Sequence, residues 1–472
     1  MNWTRIAAAV VSIVALAAGL VGVLVLSNGV LATTAPAWTA DLHWAGRTIE
    51  VSIPGLIRLV TAPGVAYLAD GVSFLTAIGR IELRREAGAL VATCAPCRVE
   101  HAALVSTPLA VRSVGLGAER SGASIKGWLS IDGVRVEYSA ELAADSVRLR
   151  WQLPPIEVAR VYHAFRSIVP EARSARIEGL VEAHGQLEVP RRTAAVEFNV
   201  TGLGVGGLGT EALQFGRFTM QCREADGSVQ RIVNGDTEMR WVPLDRMGAF
   251  LPAAVIAAED QRFQFHAGYD RIEVAPLLAR LDDSGPRRGA STLTQQLART
   301  LYTGGEKSVA RKLRELLYAI EMERTLGKAR ILELYLNTAD WGPGLCGARA
   351  AVHTYFRKRP IQLTPLEAAW LASILRAPHS AYELQFRAGH PDRERTRRIL
   401  MQVRLLSKTE RALWSRRHLR FASVPAPTRT ADAENSAHRD ANRHAPIAEA
   451  TTETTESPGD ARLTVGAATV VR

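Results

Sequence analysis

The spacing of apolar residues changes once in this chain of 472 residues, near position 235, and that change limits the folds open to it. Before it, apolar and polar residues alternate, as in Val134-Arg-Val-Glu-Tyr138, Val147-Arg-Leu-Arg-Trp151 and Val196-Glu-Phe-Asn-Val200. Period two punctuated by Asp132-Gly133, Gly202 and Gly204 predicts antiparallel strands with one buried face. One helix is expected among them, since Val158, Val161, Tyr162, Phe165 and Ile168 share a face at helical spacing. After Trp241 the apolar residues recur at helical intervals. The expected fold class is α+β multidomain: an N-terminal transmembrane helix, a β-rich domain outside the cytoplasm, a mainly α domain and a disordered tail. The expected boundaries are 1–32, 33–235, 236–420 and 421–472.

Both ends of the chain support that division. Ile6–Leu26 is a run of 21 uncharged residues, long enough to cross a bilayer as a helix. Arg5 precedes it and the next basic residue is Arg47, which predicts a cytoplasmic N-terminus and an external main body. A cleaved signal peptide is the competing reading, because small residues follow at Ala32–Ala37. Pro425–Asp460 carries too few large apolar residues to offset chain entropy and reads as disordered.

The net charge of +11 is concentrated, with 30 Lys/Arg against 18 Asp/Glu between Trp241 and Arg420. Such a basic segment seeks anionic partners: nucleic acid, acidic lipid headgroups or a phosphorylated substrate. Zinc-finger spacing and RNA-binding aromatic signatures are missing, so nucleic acid is set aside. Cys94 and Cys97 form C-A-P-C, read as a structural bridge or as idle thiols; Cys222 and Cys346 stand apart.

Three stretches carry groups suited to chemistry. In Ala254–Asp270, adjacent carboxylates Glu259 and Asp260 precede Phe263, His266 and Gly268. On a continuous helix Glu259, Phe263 and His266 would share a face, and the ring and imidazole would partly desolvate the acid, as a general base requires. In Arg288–Arg299, Gly289 and Ala290 allow close backbone approach. Ser291 and Thr292 can cap the next helix and turn its N–H groups toward an anion, while Thr294, Gln295, Gln296 and Arg299 add polar groups. In Arg311–Ile320, Arg311, Lys312 and Glu315 lie together opposite an apolar stripe. That group reads either as surface ion pairs or as a cationic clamp for a diphosphate. Arg314, off that face, is expected to be a solvated charge.

The motifs E-D-x-x-F-x-x-H-x-G, G-A-S-T-x-T-Q-Q and R-K-x-x-E, in this order, resemble those of the peptidoglycan glycosyltransferases of the penicillin-binding-protein type, glycosyltransferase family 51. Ile331–Asn337, Gly342-Pro-Gly344, Gly347, Ala350-Ala351, Tyr355-Phe356 and Glu367–Ala369 extend the resemblance, which runs from about Trp241 to Pro378. The lead-in Trp241-Val-Pro243 and the R-G-A-S-T stretch are closest to monofunctional, biosynthetic members. The S-x-x-K, S-x-N and K-T-G motifs of a transpeptidase do not follow.

The resemblance implies a lysozyme-like helical domain with a membrane-dipping lobe, placed on Ile272, Val274, Leu277 and Leu278. It implies inverting transfer, with the substrates lipid II and a growing glycan chain, at the outer face of the cytoplasmic (inner) membrane. Glu259 would be the base and Glu315 would orient the cations or a metal. Arg311 and Lys312 would hold the diphosphate, and the resemblance allows a divalent cation (Mg2+ or Mn2+) beside them. Ser291, Thr292, Gln295, Gln296 and Asn337 would bind substrate, and Phe263 and His266 would shape the pocket. A lysozyme-like hydrolase and a non-catalytic envelope scaffold are the rival classes. The β-rich region weakly resembles AsmA-type envelope proteins in its amphipathic strands and is expected to be a spacer or a module for an envelope partner.

Overall fold

A computed structural model describes residues 39–422 apart from 45–46, 53–66, 68, 77, 100–108, 144–145, 190–192, 225, 236–238, 271–290 and 305–307. The uncharged run Ile6–Leu26, the expected tail from residue 423 on, and the segment carrying Ile272, Val274, Leu277, Leu278, Gly289 and Ala290 lie outside these residues. The tail's expected start at 421 is corrected: Phe421 packs on Phe356 and Trp370, and Ala422 N donates to Tyr355 O at 2.8 Å, so these two residues belong to the helical lobe. Among the described residues no helix is long and apolar enough to cross a membrane.

The alternating stretches form strands. β1 (Thr39–Trp44) and β2 (Arg47–Ser52) make a hairpin. The next strands are β3 (Ser73–Thr76), β4 (Gly79–Glu86), β5 (Ala89–Cys94), β6 (Cys97–Val99), β7 (Leu109–Val111) and β8 (Val114–Ser121). They are followed by β9 (Ser124–Ile131), β10 (Val134–Leu142), β11 (Val147–Glu157), β12 (Arg176–Val189) and β13 (Thr193–Gly206). Nine of them make one antiparallel sheet in the order β13-β12-β11-β10-β9-β8-β5-β4-β3, while β6 and β7 pair separately. Asp132-Gly133 closes the β9–β10 hairpin with both residues at positive φ, setting Ile131 opposite Val134. Ile125, Ala140, Leu149 and Leu187 are cross-strand neighbours on one buried face, so the alternation in the sequence becomes a sheet with one apolar side.

The expected helix within this region is α1 (Val158–Ala164), followed by a 3-10 turn, Pro170–Arg173. The last hairpin, β14 (Arg217–Arg223) with β15 (Val229–Gly235), sits apart from the sheet. It belongs with the helices. Cys222 is bonded to Cys346, Gly344 N donates to Arg223 O at 2.9 Å, and Asn234 Nδ2 donates to Asn337 O at 3.0 Å. Cys94 is bonded to Cys97.

The helical lobe comprises α2 (Phe250–Glu259), α3 (Leu293–Ala298), α4 (Val309–Thr325), α5 (Gly327–Thr338), α6 (Ala348–Phe356), α7 (Pro365–Ile374), α8 (Pro378–Ala381), α9 (Arg393–Gln402) and α10 (Lys408–Ser415). Its core is built on Trp341, Trp370 and Tyr355, all fully buried, with α7 enclosed on every side. A Thr364/Glu367 capping box starts α7. Helix α4 belongs to two cores at once. Met322 joins the helical core, while Ala310, Leu317 and Ile320 pack with Val158, Tyr162, Ile168, Val169, Ala172 and Val205 of the sheet region.

Candidate active site

Helix α2 ends at Glu259. Asp260 leaves the helix with φ −158° and ψ 76°, and Phe263–Phe265 forms a separate 3-10 turn. The expectation of one helical face shared by Glu259, Phe263 and His266 is therefore corrected. Asp260 is buried, and its carboxylate meets His266 Nε2 at 2.9 Å and accepts from Leu293 N at 2.9 Å. The anion at the start of α3 is thus the chain's own Asp260, which satisfies a backbone donor that the helix leaves unpaired. Thr292 caps the same helix, accepting from Gln295 N at 3.2 Å while donating to Gly268 O at 2.7 Å. Gly268 has φ +91°, and a Cβ there would lie 2.9 Å from the Ala319 backbone, so the glycine lets this loop press onto α4.

These contacts free Glu259 from its neighbours in sequence. Its Oε2 accepts from Gln296 Nε2 at 3.2 Å, and Tyr335 Oη donates to Gln296 Oε1 at 3.0 Å. Arg395 Nη2 stands 3.7 Å from Oε1. With its side chain 16% exposed, desolvation raises the Glu259 pKa above the usual carboxylate range. The Gln296 hydrogen bond and the charges of Arg395, Arg299 and Arg376 oppose that rise. The direction is the one anticipated from the sequence, but the imidazole of His266 is turned to Asp260 instead.

A second ionised cluster lies on α4, whose N-terminus is capped by Ser308 accepting from Arg311 N at 3.1 Å. Glu315 is fully buried. Its Oε1 faces Arg311 Nε at 3.1 Å and its Oε2 accepts from Lys312 Nζ at 2.6 Å. Lys312 Nζ also donates to Ser291 Oγ at 2.6 Å. Desolvation lowers the pKa of Lys312, opposed by Glu315, and desolvation likewise lowers that of Arg311. Two cations on one buried carboxylate leave a net positive group, suited to an anion.

One short segment touches both clusters. Ser291 meets Lys312, Gln296 meets Glu259, and the charge of Arg299 acts on Glu259, Arg311 and Lys312 alike. Of the residues anticipated, Glu259, Gln296, Ser291, Arg311, Lys312 and Glu315 are brought together in this way. Gln295 and Thr292 are buried beside them at the start of α3.

Others serve the scaffold. Phe263 is fully buried, with Lys328 Nζ 4.4 Å from its ring centre and His266 edge-on to it. Lys328 also donates to Glu323, which accepts from Thr294 Oγ1 at 2.6 Å. Asn337 is 2% exposed and directed to backbone: Oδ1 accepts from Val242 N, and Nδ2 donates to Val242 O and Glu333 O, each at 2.9 Å. We therefore assign it to pinning the 241–243 lead-in and leave it out of the substrate contacts. Arg314 is not a solvated charge; its guanidinium holds both oxygens of Glu171 at 2.7 and 2.9 Å.

A divalent cation beside Glu315 fits the donor set poorly. Both carboxylate oxygens already face cations. Among the described residues no three His, Cys, Asp or Glu side chains converge as a metal site. Arg395, Arg376 and Tyr335 were not anticipated as neighbours of the acid. Arg395 alone lies 136 positions from Glu259 in the chain, and no local spacing links them.

The family model described as Transglycosylase matches residues 226–404, which begins inside the disulfide-tethered hairpin. A protein named biosynthetic peptidoglycan transglycosylase from Shewanella amazonensis is 46% identical over 141 residues, covering 30% of this chain and 58% of that protein. One of the same name from Aromatoleum aromaticum is 41% identical over 174 residues, covering 36% of this chain and 75% of that protein. A solved structure of Penicillin-Binding Protein 1A from Haemophilus influenzae aligns over 48% of this chain and 24% of that one, at 19% identity and a TM-score of 0.23. The chain spans 58 to 64% of the length of the first three curated relatives it matches. A shared 41% identity over three quarters of a relative, beside a family match over residues 226–404, establishes that this chain belongs to the transglycosylase family.

Proposed function

We propose that the protein polymerises lipid II into glycan strands by inverting glycosyl transfer. The observation that carries this is the separation of one desolvated carboxylate, Glu259, from a buried cationic group, Arg311–Lys312–Glu315, with Ser291–Arg299 touching both. Glu259 takes the proton from the acceptor sugar hydroxyl, and that oxygen forms the new bond to C1 of the donor. The bond from C1 to the diphosphate breaks, and undecaprenyl diphosphate leaves with the electron pair. Arg311 and Lys312 stabilise the charge that collects there, held in place by Glu315. A low dielectric around both clusters strengthens each interaction. Gln296, fixed by Tyr335, orients the base.

The site of action is the outer face of the cytoplasmic membrane. Two disulfides favour an oxidising compartment, and the uncharged run Ile6–Leu26 supports a membrane anchor. Purified full-length chain incubated with fluorescent lipid II tests the reading. Polymer is expected; cleavage of preformed glycan instead would indicate a hydrolase, and inertness a scaffold.

A further inference from the structure

Helix α4 has two working faces. At 100° per residue, Arg311, Lys312 and Glu315 fall on one side, with Ala319 and Met322. Ala310, Leu313, Arg314, Leu317, Ile320 and Glu321 fall on the opposite side. The first side carries the cationic clamp. The second is docked on the sheet region through polar contacts at both ends as well as through the shared apolar core.

Near the N-terminal end, Arg314 holds Glu171 of the Pro170–Arg173 turn through Nε at 2.7 and 2.9 Å and Nη2 at 2.7 Å. Both side chains are largely enclosed, at 27% and 6% exposure. Tyr162 of α1, itself buried, donates its hydroxyl to Leu313 O at 3.2 Å. Near the C-terminal end, buried Glu321 accepts from Leu208 N at 2.8 Å and Thr210 N at 3.2 Å. Thr210 and Thr325 share a hydroxyl contact at 2.9 Å. Polar anchors at both ends and apolar packing between them fix the helix against sliding and rotation.

We infer that the sheet region acts as the backing of the clamp helix, with Glu171, Arg314 and Tyr162 as positioning residues that hold Arg311 and Lys312 at the diphosphate. This rests on the proposed transfer reaction for its purpose, and it gives a positioning role to a region expected to be a spacer or a module for an envelope partner. One rotation step of α4 would move both cations together, since they ride on the same turn. Misplacing a charge by about 1 Å can cost on the order of 100-fold when the transition state depends on it.

The test uses full-length protein in detergent, with Glu171→Gln and Tyr162→Phe as separate variants. Glu171→Gln keeps the shape and removes the charge; Tyr162→Phe removes one hydroxyl and leaves the ring in the core. Two quantities are read on each: the Kd for geranylgeranyl diphosphate, and kcat with acceptor KM for lipid II polymerisation, with melting temperature alongside. The expected result is a rise in Kd and a fall in kcat of about tenfold for Glu171→Gln and less for Tyr162→Phe, with KM unchanged. A loss of folded protein alone would lower the amplitude of binding and leave Kd where it was. Unchanged Kd and kcat in both folded variants overturn the inference. Wild-type protein that binds the diphosphate yet makes no polymer overturns the proposed reaction, and the positioning role then stands or falls on Kd. Wild-type protein that binds no diphosphate overturns both.

Discussion

Gln296 donates its side-chain amide to Glu259 Oε2 across 3.2 Å, and no other side chain in the described structure makes so close a polar contact with that acid. The amide cannot turn freely, because its carbonyl oxygen accepts from the hydroxyl of Tyr335, which is buried on α5. The acid is therefore aimed by a two-residue relay from two other helices, α3 and α5. It is left with one oxygen facing the more distant Arg395.

Removing the carboxylate should abolish turnover without harming the fold. Glu259→Gln is expected to lower polymerisation by about 100- to 10,000-fold, the usual range for loss of a general base. Stability should move the other way. Desolvation places the folded-state pKa of Glu259 above its unfolded value, so the folded state binds this proton more readily. Its contribution to stability is favourable at low pH and falls as pH rises toward the folded pKa. At neutral pH the variant should melt no lower than wild type, as read by circular dichroism.

Loss of the relay should shift the pH profile. The Gln296 hydrogen bond lowers the Glu259 pKa, so Gln296→Ala should move the acid limb of kcat/KM to higher pH and reduce the plateau. Tyr335→Phe should move it the same way by less. A limb that stays in place in both variants would assign the titration to another group.

Arg395 reaches the same acid from a helix that no motif singled out. Its charge lowers the Glu259 pKa, and its Nε donates to Ser373 O at 2.9 Å. Arg395→Gln should raise the acid limb, and added salt should mimic the variant less than completely, because the pair is only partly exposed.

Glu315 is the counter-ion on which the clamp depends. With Arg311 and Lys312 left facing each other inside the protein, Glu315→Ala should destabilise by about 3–5 kcal/mol. Lys312→Ala should be milder on stability and severe on binding of a polyprenyl diphosphate. Comparable melting temperatures for wild type and Glu315→Ala would show that water already reaches the cluster.

The Cys222–Cys346 bond closes a loop of 124 residues and ties the β14–β15 hairpin to the loop before α6. In the chain-entropy account such a loop contributes about 5 kcal/mol, against about 2 for the short Cys94–Cys97 loop. Cys222→Ala/Cys346→Ala should lower the melting temperature more than Cys94→Ala/Cys97→Ala, measured without reductant. It also follows that removing the residues before 235 would take away Cys222 and with it a bond of the helical lobe.

Features that local spacing can encode were readable in the sequence. Period-two alternation gave strands because successive side chains must point to opposite faces, and the helical stripe of α4 placed Arg311, Lys312 and Glu315 together because they lie within one turn. What the sequence left undecided was decided by contacts between distant segments. Helix α2 stops at Glu259 because Asp260 is drawn to His266 and to the start of α3, which comes 33 residues later. Gln296 meets Glu259 from 37 positions away, Cys222 finds Cys346 across 124, and Glu171 meets Arg314 across 143. The resemblance placed Asn337 among the substrate-binding residues, and burial turned both the oxygen and the nitrogen of its side-chain amide to backbone. Polar side chains carry no record of which partner will reach them. Once the core closes, each buried donor and acceptor must be satisfied by whatever the fold brings near, and that choice exists only in three dimensions.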